Sequence, residues 1–153
     1  MQQKNLWQVT SKEKITFSYL KKSITTDLVV IGGGFTGCSA ALSAAKNGLS
    51  VTLIDKKIGY GGSGRNVGLV NAGLWMPPEK VESILGLDAG VKLNKALATA
   101  PDLVFSLIDN YEINCSANRS GTLHCAHSEK GLKDIQLRFK QLSERGAELE
   151  LLD

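Results

Sequence analysis

The residues with the clearest chemical potential are six consecutive positions, Gly32-Gly33-Gly34-Phe35-Thr36-Gly37. They match the pattern G-x-G-x-x-G, which brings the backbone close to a diphosphate when it follows a strand and opens a helix. Gly32 permits a sharp exit from the strand, Gly34 leaves room against the backbone, and Gly37 lets the helix pack closely. The free amide groups and the dipole of the helix then face an anionic ligand.

An acidic residue supports this interpretation. Asp55 lies 18 residues beyond Gly37, at the end of a second predicted strand. Its carboxylate is expected to accept hydrogen bonds from the hydroxyl groups of an adenosine ribose. A carboxylate there also repels a 2′-phosphate, although Lys56 and Lys57 weaken that discrimination. The alternative is a glycine-rich turn without a ligand, and the agreement of strand, turn, helix and acid argues against it.

A second glycine cluster, Gly61-Gly62-Ser63-Gly64-Arg65-Asn66-Val67-Gly68, follows within a few residues. It adds amides, a hydroxyl, an amide side chain and an arginine, which suit a longer cofactor with a second polar moiety. Arg65 is expected to bind a diphosphate or to pair with an acid such as Asp55. As an alternative, Arg65 and Asn66 only cap a turn. The G-x-G-x-x-G pattern by itself leaves NAD and FAD open.

The elements that must position these residues are read from composition and periodicity. The apolar, β-branched run at 28–31 predicts a strand buried on both faces. Small residues over 36–47 predict a helix that ends at Gly48, and 50–54 predicts a second strand. A helix between two strands is the connection that parallel strands require, so the fold class is α/β, with a parallel sheet flanked by helices.

The remainder of the chain is predicted to contain a loop, helices and short strands. Residues 56–78 predict a glycine-rich loop closed by two prolines. Helices are predicted at 79–85, 90–110 and 129–144, and Pro101 is expected to break or kink the second of them. Short strands are predicted at 113–117, 122–126 and 148–152.

Composition and charge exclude several classes of protein. The 153 residues are 42% hydrophobic and 22% charged, which excludes a disordered, collagen-like or disulfide-scaffold chain. Residues 1–26 hold five lysines and one acid, whereas the rest is nearly neutral, so no nucleic-acid partner is expected. No window approaches about 18 uninterrupted apolar residues, so no membrane span is expected. Within the basic stretch, Trp7 and Tyr19 are expected to dock.

The cysteines and the start of the chain indicate the cellular compartment in which the protein is located. Cys38, Cys115 and Cys125 lack the spacing of a metal site, and their small, odd number fits a reducing environment. Cys38 is expected to be a small core residue. Charges interrupt every apolar run in the first 26 residues, so no secretory signal is expected and the predicted location is the cytoplasm.

The two glycine strings, at 27–37 and 61–68, resemble those of FAD-dependent oxidoreductases of the D-amino-acid oxidase superfamily, in particular its gamma-glutamylputrescine oxidase-like branch. Residues 100–113 and 120–126 are also similar to that branch. The resemblance implies a Rossmann-like FAD-binding domain. It also implies an enzyme that oxidises the C–N bond of a small-molecule amine or amino acid. Oxygen is then the acceptor, and hydrogen peroxide is released.

The resemblance also implies roles for residues of both glycine clusters. Gly32, Gly34, Gly37 and Asp55 would hold the ADP half of FAD, and the second cluster would line the flavin side. No catalytic residue is singled out. The residues predicted to bind the cofactor are Gly32, Gly34, Phe35, Thr36, Gly37, Asp55, Lys56, Ser63, Gly64, Arg65, Asn66 and Gly68.

Members of this family are considerably longer than the present chain. The expected organisation is therefore an N-terminal arm, 1–26, followed by the N-terminal part of an FAD-binding domain with the first substrate-domain elements, 27–153. Such a domain is incomplete at its C-terminus and is expected to leave an open sheet edge with exposed apolar surface. An NAD-dependent dehydrogenase domain, or a truncated non-catalytic nucleotide-binding fragment, remains open as an alternative.

Overall fold

The computed structural model describes residues 5–13 and 16–152. The chain forms two compact units, Met1–Leu69 and Val70–Asp153. In the described part of the chain, no helix is both long enough and apolar enough to cross a membrane. The elements of the first unit are α1 (Leu6–Thr10), β1 (Leu28–Ile31), α2 (Phe35–Lys46), β2 (Val51–Ile54) and a short 3₁₀ turn (Ser63–Arg65).

The two strands of the first unit form a parallel pair, in register from Leu28 opposite Val51 to Ile31 opposite Ile54. This confirms the predicted order of strand, helix and parallel strand. Hydrogen bonds between polar groups join the amino ends of the two strands to each other. The carboxylate of Asp27 accepts hydrogen bonds from the hydroxyl group of Ser50 at 2.6 Å and from its N–H at 2.8 Å. These bonds favour the ionised form and hold the pKa of Asp27 below its ordinary value.

Helix α2 is rich in alanine, which favours helix, and it ends as the sequence predicts. Gly48 has a φ of +83° and its N–H donates to the carbonyl of Ala45 at 3.0 Å. The N–H of Leu49 donates to the carbonyl of Ala44 at 3.2 Å. This pair of hydrogen bonds is a Schellman motif, which requires a left-handed residue at the position of Gly48.

The expectation that β1 is buried on both faces is wrong for this structure. Ile31 is 83% exposed and Val29 is 52% exposed. Cys38, expected in the core, is exposed as well. Among the described residues the sheet has two strands, with helix α2 packed on it, so the surface around these side chains has no covering element. The open edge and exposed apolar surface expected from the sequence are therefore present.

The second unit contains three helices, α3 (Pro78–Leu85), α4 (Leu87–Asn110) and α5 (Glu129–Ser143). Helices α3 and α4 approach closely at Gly90, where an added Cβ would lie only 2.4 Å from the Cα of Glu82. Gln141 of α5 is only 4% exposed. Its amide donates to the carboxylate of Glu79 at 2.9 Å and accepts from the N–H of Glu79 at 3.1 Å. These polar contacts join α5 to α3, in which Val81 is buried.

Of the two predicted outcomes, a break or a kink at Pro101, the break is wrong, because α4 continues through Pro101. Proline lacks the N–H that would donate to the carbonyl four residues earlier, which belongs to Leu97. The N–H of Gly73 donates to that carbonyl instead, at 3.4 Å. A donor from outside the helix therefore replaces the hydrogen bond that proline removes.

The predicted strands at 113–117, 122–126 and 148–152 are not formed in the described chain. Ser116 has a φ of +54°, and the N–H of Cys115 donates to the carbonyl of Ile113 at 2.9 Å, so the first run turns instead of extending. A strand is stable only when a neighbour accepts and donates its ladder hydrogen bonds. None of the three runs has such a neighbour among residues 5–13 and 16–152.

The N-terminal arm contains a helix that the sequence analysis missed. Asn5 caps α1 by accepting from the N–H of Gln8 at 2.8 Å, and Gln8 accepts from the N–H of Asn5 at 3.3 Å. This reciprocal pair is a capping box, and the spacing Asn-x-x-Gln was the available signal. Tyr19 is 88% exposed and does not dock, so that expectation is wrong.

Candidate functional site

Both glycine clusters meet in one small cleft of about 70 Å³ in the first unit. The cleft lies at the carboxyl ends of β1 and β2, where open parallel sheets bind their ligands. Most of its wall is glycine backbone. The residues that line it are Gly33, Gly34, Asp55, Gly59, Gly61, Gly62, Ser63 and Gly64.

A wider and more open depression of about 430 Å³ lies on the second unit, between α3 and α5. Its lining includes Pro77, Lys80 and Leu137 and none of the predicted cofactor-binding residues. The smaller cleft is therefore the candidate site, because it joins the G-x-G-x-x-G turn to the predicted acid.

The first glycine turn is built by close approach of backbone to backbone. Gly32 leaves β1 with a φ of +107°, a conformation that favours glycine. A Cβ at Gly37 would lie 1.8 Å from the carbonyl oxygen of Gly32. A Cβ at Gly34 would lie 3.0 Å from the hydroxyl oxygen of Ser63. The turn therefore places the start of α2 directly against the end of β1.

Asp55, which follows the last residue of β2, forms a hydrogen bond with this turn. Its carboxylate accepts from the N–H of Gly33 at 2.6 Å and from the N–H of Lys57 at 2.7 Å. These two bonds, with a smaller contribution from the N–H of Lys56, hold the pKa of Asp55 below its ordinary value. The carboxylate is exposed and ionised at neutral pH. Each of its oxygens has a lone pair left for a donor on a ligand.

Ser63 connects the second glycine cluster to the first turn of α2. Its hydroxyl oxygen accepts from the N–H of Phe35 at 3.1 Å. Gly34, the residue at the N-cap position, has no side chain that could accept from the next N–H groups of α2. Within the described chain, the N–H groups of Thr36 and Gly37 have no protein acceptor. The helix start therefore retains free donors and the positive end of its dipole.

Gly64 lines the cleft with Ser63, whereas the other predicted residues of the second cluster, Arg65, Asn66 and Gly68, lie beside the cleft and do not line it. The guanidinium of Arg65 lies 5.4 Å from the centre of the Tyr60 ring, over which the ammonium of Lys57 also lies, at 4.0 Å. Arg65 does not pair with Asp55 among the described ion pairs, so that prediction is wrong. A flexible cation can bind an aromatic face instead of a carboxylate, and the carboxylate here is already bonded to backbone.

Asn66 caps the 3₁₀ turn. Its side-chain amide donates to the carbonyl of Ser63, and its side-chain oxygen accepts from the N–H of Gly68 at 2.6 Å. These bonds agree with the alternative, stated from the sequence, in which Asn66 caps a turn. Lys56 lies between Asp55 and Lys57 and does not line the cleft.

The structure adds cleft residues that sequence reasoning did not select, namely Gly33, Gly59, Gly61 and Gly62. Gly59 has a φ of +73°, and a Cβ at Gly64 would lie 1.8 Å from its carbonyl oxygen. The high density of glycine between residues 59 and 68 was the sequence signal that could have identified Gly59, Gly61 and Gly62, but not Gly33. Composition alone could not indicate which glycines face the cleft.

A parallel strand–helix–strand unit with a G-x-G-x-x-G turn and an acid after the second strand defines a protein of the dinucleotide-binding class. The family model described as DAO, FAD dependent oxidoreductase, matches residues 27–153. The chain therefore belongs to this family of FAD-dependent oxidoreductases. The resemblance stated from the glycine strings, the prediction of an enzyme and the prediction of FAD as cofactor are confirmed at this level.

Curated relatives agree with the family. Gamma-glutamylputrescine oxidoreductase of Escherichia coli K12 is 33% identical over 139 residues, which cover 90% of this chain and 32% of the relative. The probable oxidoreductase OrdL of Rhizobium meliloti is 32% identical over 140 residues, covering 91% of this chain and 32% of the relative. A 3-oxosteroid 1-dehydrogenase of Mycolicibacterium smegmatis is 42% identical over 55 residues, 36% of this chain and 9% of the relative.

The chain spans about a third of the length of the first two relatives. No solved structure shows significant similarity to it. The cleft itself fits the diphosphate and ribose end of FAD. Six of its eight lining residues are glycine, α2 begins with free N–H donors, and Asp55 offers an ionised carboxylate.

Proposed function

We propose that this chain forms the FAD-binding part of an oxidoreductase that oxidises the C–N bond of an amine or amino acid, with oxygen as the electron acceptor. The observation that carries the proposal is the glycine-lined cleft at the carboxyl ends of β1 and β2, in a chain of the FAD-dependent oxidoreductase family. The name of the relative from Escherichia coli, gamma-glutamylputrescine oxidoreductase, supports an amine-containing substrate.

The proposed organisation follows the family match. Residues 27–153 supply the first part of a Rossmann-like FAD-binding domain and the first substrate-domain elements, and residues 1–26 form an arm. The matched relatives are about three times as long as the segment they share with this chain, which supports a further portion in the complete enzyme. The three cysteines are free, which supports the cytoplasm as the compartment.

The described residues hold and orient the cofactor in this proposal. The N–H groups at the start of α2, opened by Gly34, bind the diphosphate, and Asp55 accepts from the ribose hydroxyls. Ser63 holds the second glycine cluster against α2, close to the diphosphate. The remaining residues of that cluster extend towards the flavin. These are Gly64, Arg65, Asn66 and Gly68.

When bound, FAD supplies a two-electron acceptor for the substrate. It would accept the hydride equivalent that leaves the carbon next to nitrogen, and water would hydrolyse the imine product to an aldehyde or oxo acid and an amine or ammonia. Oxygen would be the final acceptor of the two electrons and would be released as hydrogen peroxide. Family membership favours FAD over the NAD alternative.

Two stages test the proposal, the first with the purified chain and the second with the complete enzyme. After incubation of the chain with FAD and gel filtration, we expect flavin absorbance to remain with the protein, and excess NAD should not displace it. Mixing the FAD-loaded complete enzyme with amines and amino acids without oxygen should bleach the flavin, and oxygen should restore the colour and release peroxide. Binding of NAD in place of FAD would overturn the cofactor assignment. Bleaching that oxygen fails to reverse would overturn the assignment of the acceptor.

Replacing Asp55 with asparagine is expected to weaken FAD binding on the order of tenfold or more, because a charged acceptor for the ribose is lost. The low pKa of Asp55 sets the pH dependence. The carboxylate stays ionised above the ordinary carboxyl range, and its contribution is lost as the pH falls through the lowered pKa. FAD fluorescence titrations from neutral to acid pH should show this decline in the natural chain and a smaller one in Asp55→Asn.

Asp27→Asn is the matched control, because Asp27 also has a lowered pKa and accepts backbone and hydroxyl hydrogen bonds. It lies at the amino ends of the strands, away from the cleft. The control should lower the thermal stability of the fold and leave the FAD affinity of the folded protein unchanged. Equal losses of affinity in both variants would remove Asp55 from the ribose role.

A further inference from the structure

We propose that α1 and its cap, residues 5–10, are a strap that holds the second glycine cluster in the conformation that binds FAD, with Trp7 as the positioning residue. This inference rests on the proposed function as far as FAD is concerned. The strap lies outside residues 27–153, the segment that the family model matches. Its role is therefore specific to the arm and is not a consequence of the G-x-G-x-x-G turn.

The strap binds the loop of residues 59–68 at two points, each close to one end of that loop. The indole N–H of Trp7 donates to the carbonyl of Asn66 at 2.8 Å. The side-chain amide of Asn5 donates to the carbonyl of Gly59 at 3.0 Å. These bonds join residues that are 59 and 54 positions apart in the chain, so they constrain the loop from outside.

The loop has a physical need for such a constraint. Five of the ten residues from 59 to 68 are glycine, and glycine loses more conformational freedom on ordering than any other residue. Only short-range bonds hold the loop internally, such as those from the N–H groups of Gly64 and Arg65 to the carbonyls of Gly61 and Gly62, at 3.1 Å each. Contacts from the arm reduce the number of conformations that FAD would otherwise have to select.

Trp7 is the member of α1 that packs on the loop. It is 38% exposed, whereas Leu6 and Val9 of the same helix are 64% and 65% exposed. A Cβ at Gly68 would lie 2.8 Å from the Trp7 ring, so the ring lies against the glycine backbone. Gly68, predicted as a cofactor residue, thus also provides the space that the indole occupies.

A continuous series of hydrogen bonds leads from the strap to the cleft. Trp7 binds the carbonyl of Asn66, the side chain of Asn66 binds the carbonyl of Ser63, and the hydroxyl of Ser63 binds the N–H of Phe35. Phe35 is the first residue of α2, at the proposed diphosphate site. Loss of the indole contact is therefore expected to loosen the residues that hold the cofactor.

The first experiment measures whether Trp7 is close to bound FAD. The chain has two tryptophans, so Trp75→Phe leaves Trp7 as the only indole fluorophore. FAD added to this variant should quench its emission with the same dependence on concentration that FAD binding shows. Binding of FAD without any change in Trp7 emission would contradict a strap that lies on the FAD-binding loop.

The second experiment compares Trp7→Ala, Trp7→Phe and, as a matched control, Leu6→Ala, an exposed residue of the same helix. Without FAD, Trp7→Ala should increase hydrogen exchange of the amides from 61 to 68, and Leu6→Ala should not. With FAD, Trp7→Ala should weaken binding roughly tenfold, the effect of a lost anchoring contact. Trp7→Phe keeps ring contact without the N–H donor and should recover part of the affinity.

Asn5→Ser separates the two functions of the cap residue. Serine still caps α1 but lacks the amide that binds Gly59, so a strap predicts faster exchange near Gly59 while α1 remains intact. Unchanged exchange in Trp7→Ala and Asn5→Ser would overturn the strap. If the natural chain binds no FAD, the proposed function fails, and the exchange measurements still decide whether the arm holds the loop.

Discussion

Replacing Gly37 with alanine is expected to abolish retention of FAD by the purified chain. The new Cβ would lie 1.8 Å from the carbonyl oxygen of Gly32 and 3.0 Å from its carbonyl carbon. Both are backbone atoms at the end of β1, so no side-chain rotation can relieve the overlap. The start of α2 must move away from the strand, and the N–H groups proposed to bind the diphosphate move with it.

The magnitude follows from the cost of overpacking, about 1–3 kcal/mol and more where backbone must shift. Since about 1.4 kcal/mol corresponds to a tenfold change in affinity, FAD binding should weaken on the order of a hundredfold. FAD fluorescence titration and thermal unfolding of the same preparation measure the two effects. Because Gly37 packs α2 on β1, the melting temperature should fall as well.

Gly62→Ala is the matched control for this variant. Gly62 lines the same cleft, but a Cβ there meets no atom within 4 Å, and its φ of −53° and ψ of −44° suit any residue. Alanine at such a position stabilises by about 0.4–1 kcal/mol through the unfolded state. We therefore expect a small rise in melting temperature. If Gly62→Ala lowers the melting temperature as much as Gly37→Ala, the steric explanation is wrong.

The sequence was sufficient for the elements whose signals are local. The run at 28–31, the alanine-rich helix and Gly48 each carry their own propensity or cap, and they form as predicted. The glycine clusters were expected to bind one cofactor, and the structure brings members of both, including Gly34 and Ser63, into one cleft with Asp55.

Features that depend on distant partners could not be predicted in the same way. The runs at 113–117 and 122–126 have strand-like composition, but a strand needs a neighbour that composition does not supply. Pro101 stays within α4 because Gly73 donates to the carbonyl of Leu97, a contact between residues far apart in the chain. Likewise, charge suggested a diphosphate or an acid as the partner of Arg65 and gave no indication of the ring of Tyr60, which lies beside it in the structure.

The second large effect is expected for Gly64→Ala. Its Cβ would lie 1.8 Å from the carbonyl oxygen of Gly59, 2.3 Å from the carbonyl carbon and 2.9 Å from the Cα. The loop of residues 59–68 would have to open between these two residues. Opening moves Ser63 away from the N–H of Phe35 and Asn66 away from the indole of Trp7, so the cleft and its contact with α1 are lost together.

Gly64→Ala is expected to leave more of the fold intact than Gly37→Ala. The altered contact lies in a loop, whereas Asp27, Ser50 and the ladder between β1 and β2 are untouched. We expect FAD affinity to fall at least tenfold, by the overpacking cost given above, with a smaller loss of thermal stability than for Gly37→Ala. Hydrogen exchange should locate the change at residues 59–68 and leave the strands protected.

Ser63→Ala distinguishes displacement of the whole loop from loss of one hydrogen bond. It removes the hydroxyl that accepts from Phe35 and introduces no overlap, so its effect on FAD affinity should be smaller than that of Gly64→Ala. Equal effects would mean that the Ser63 hydroxyl alone connects the loop to the cofactor. Unchanged FAD affinity in Gly64→Ala, with exchange showing a displaced loop, would exclude the second glycine cluster from the FAD site, because the closest backbone contact in that cluster would then be irrelevant to binding.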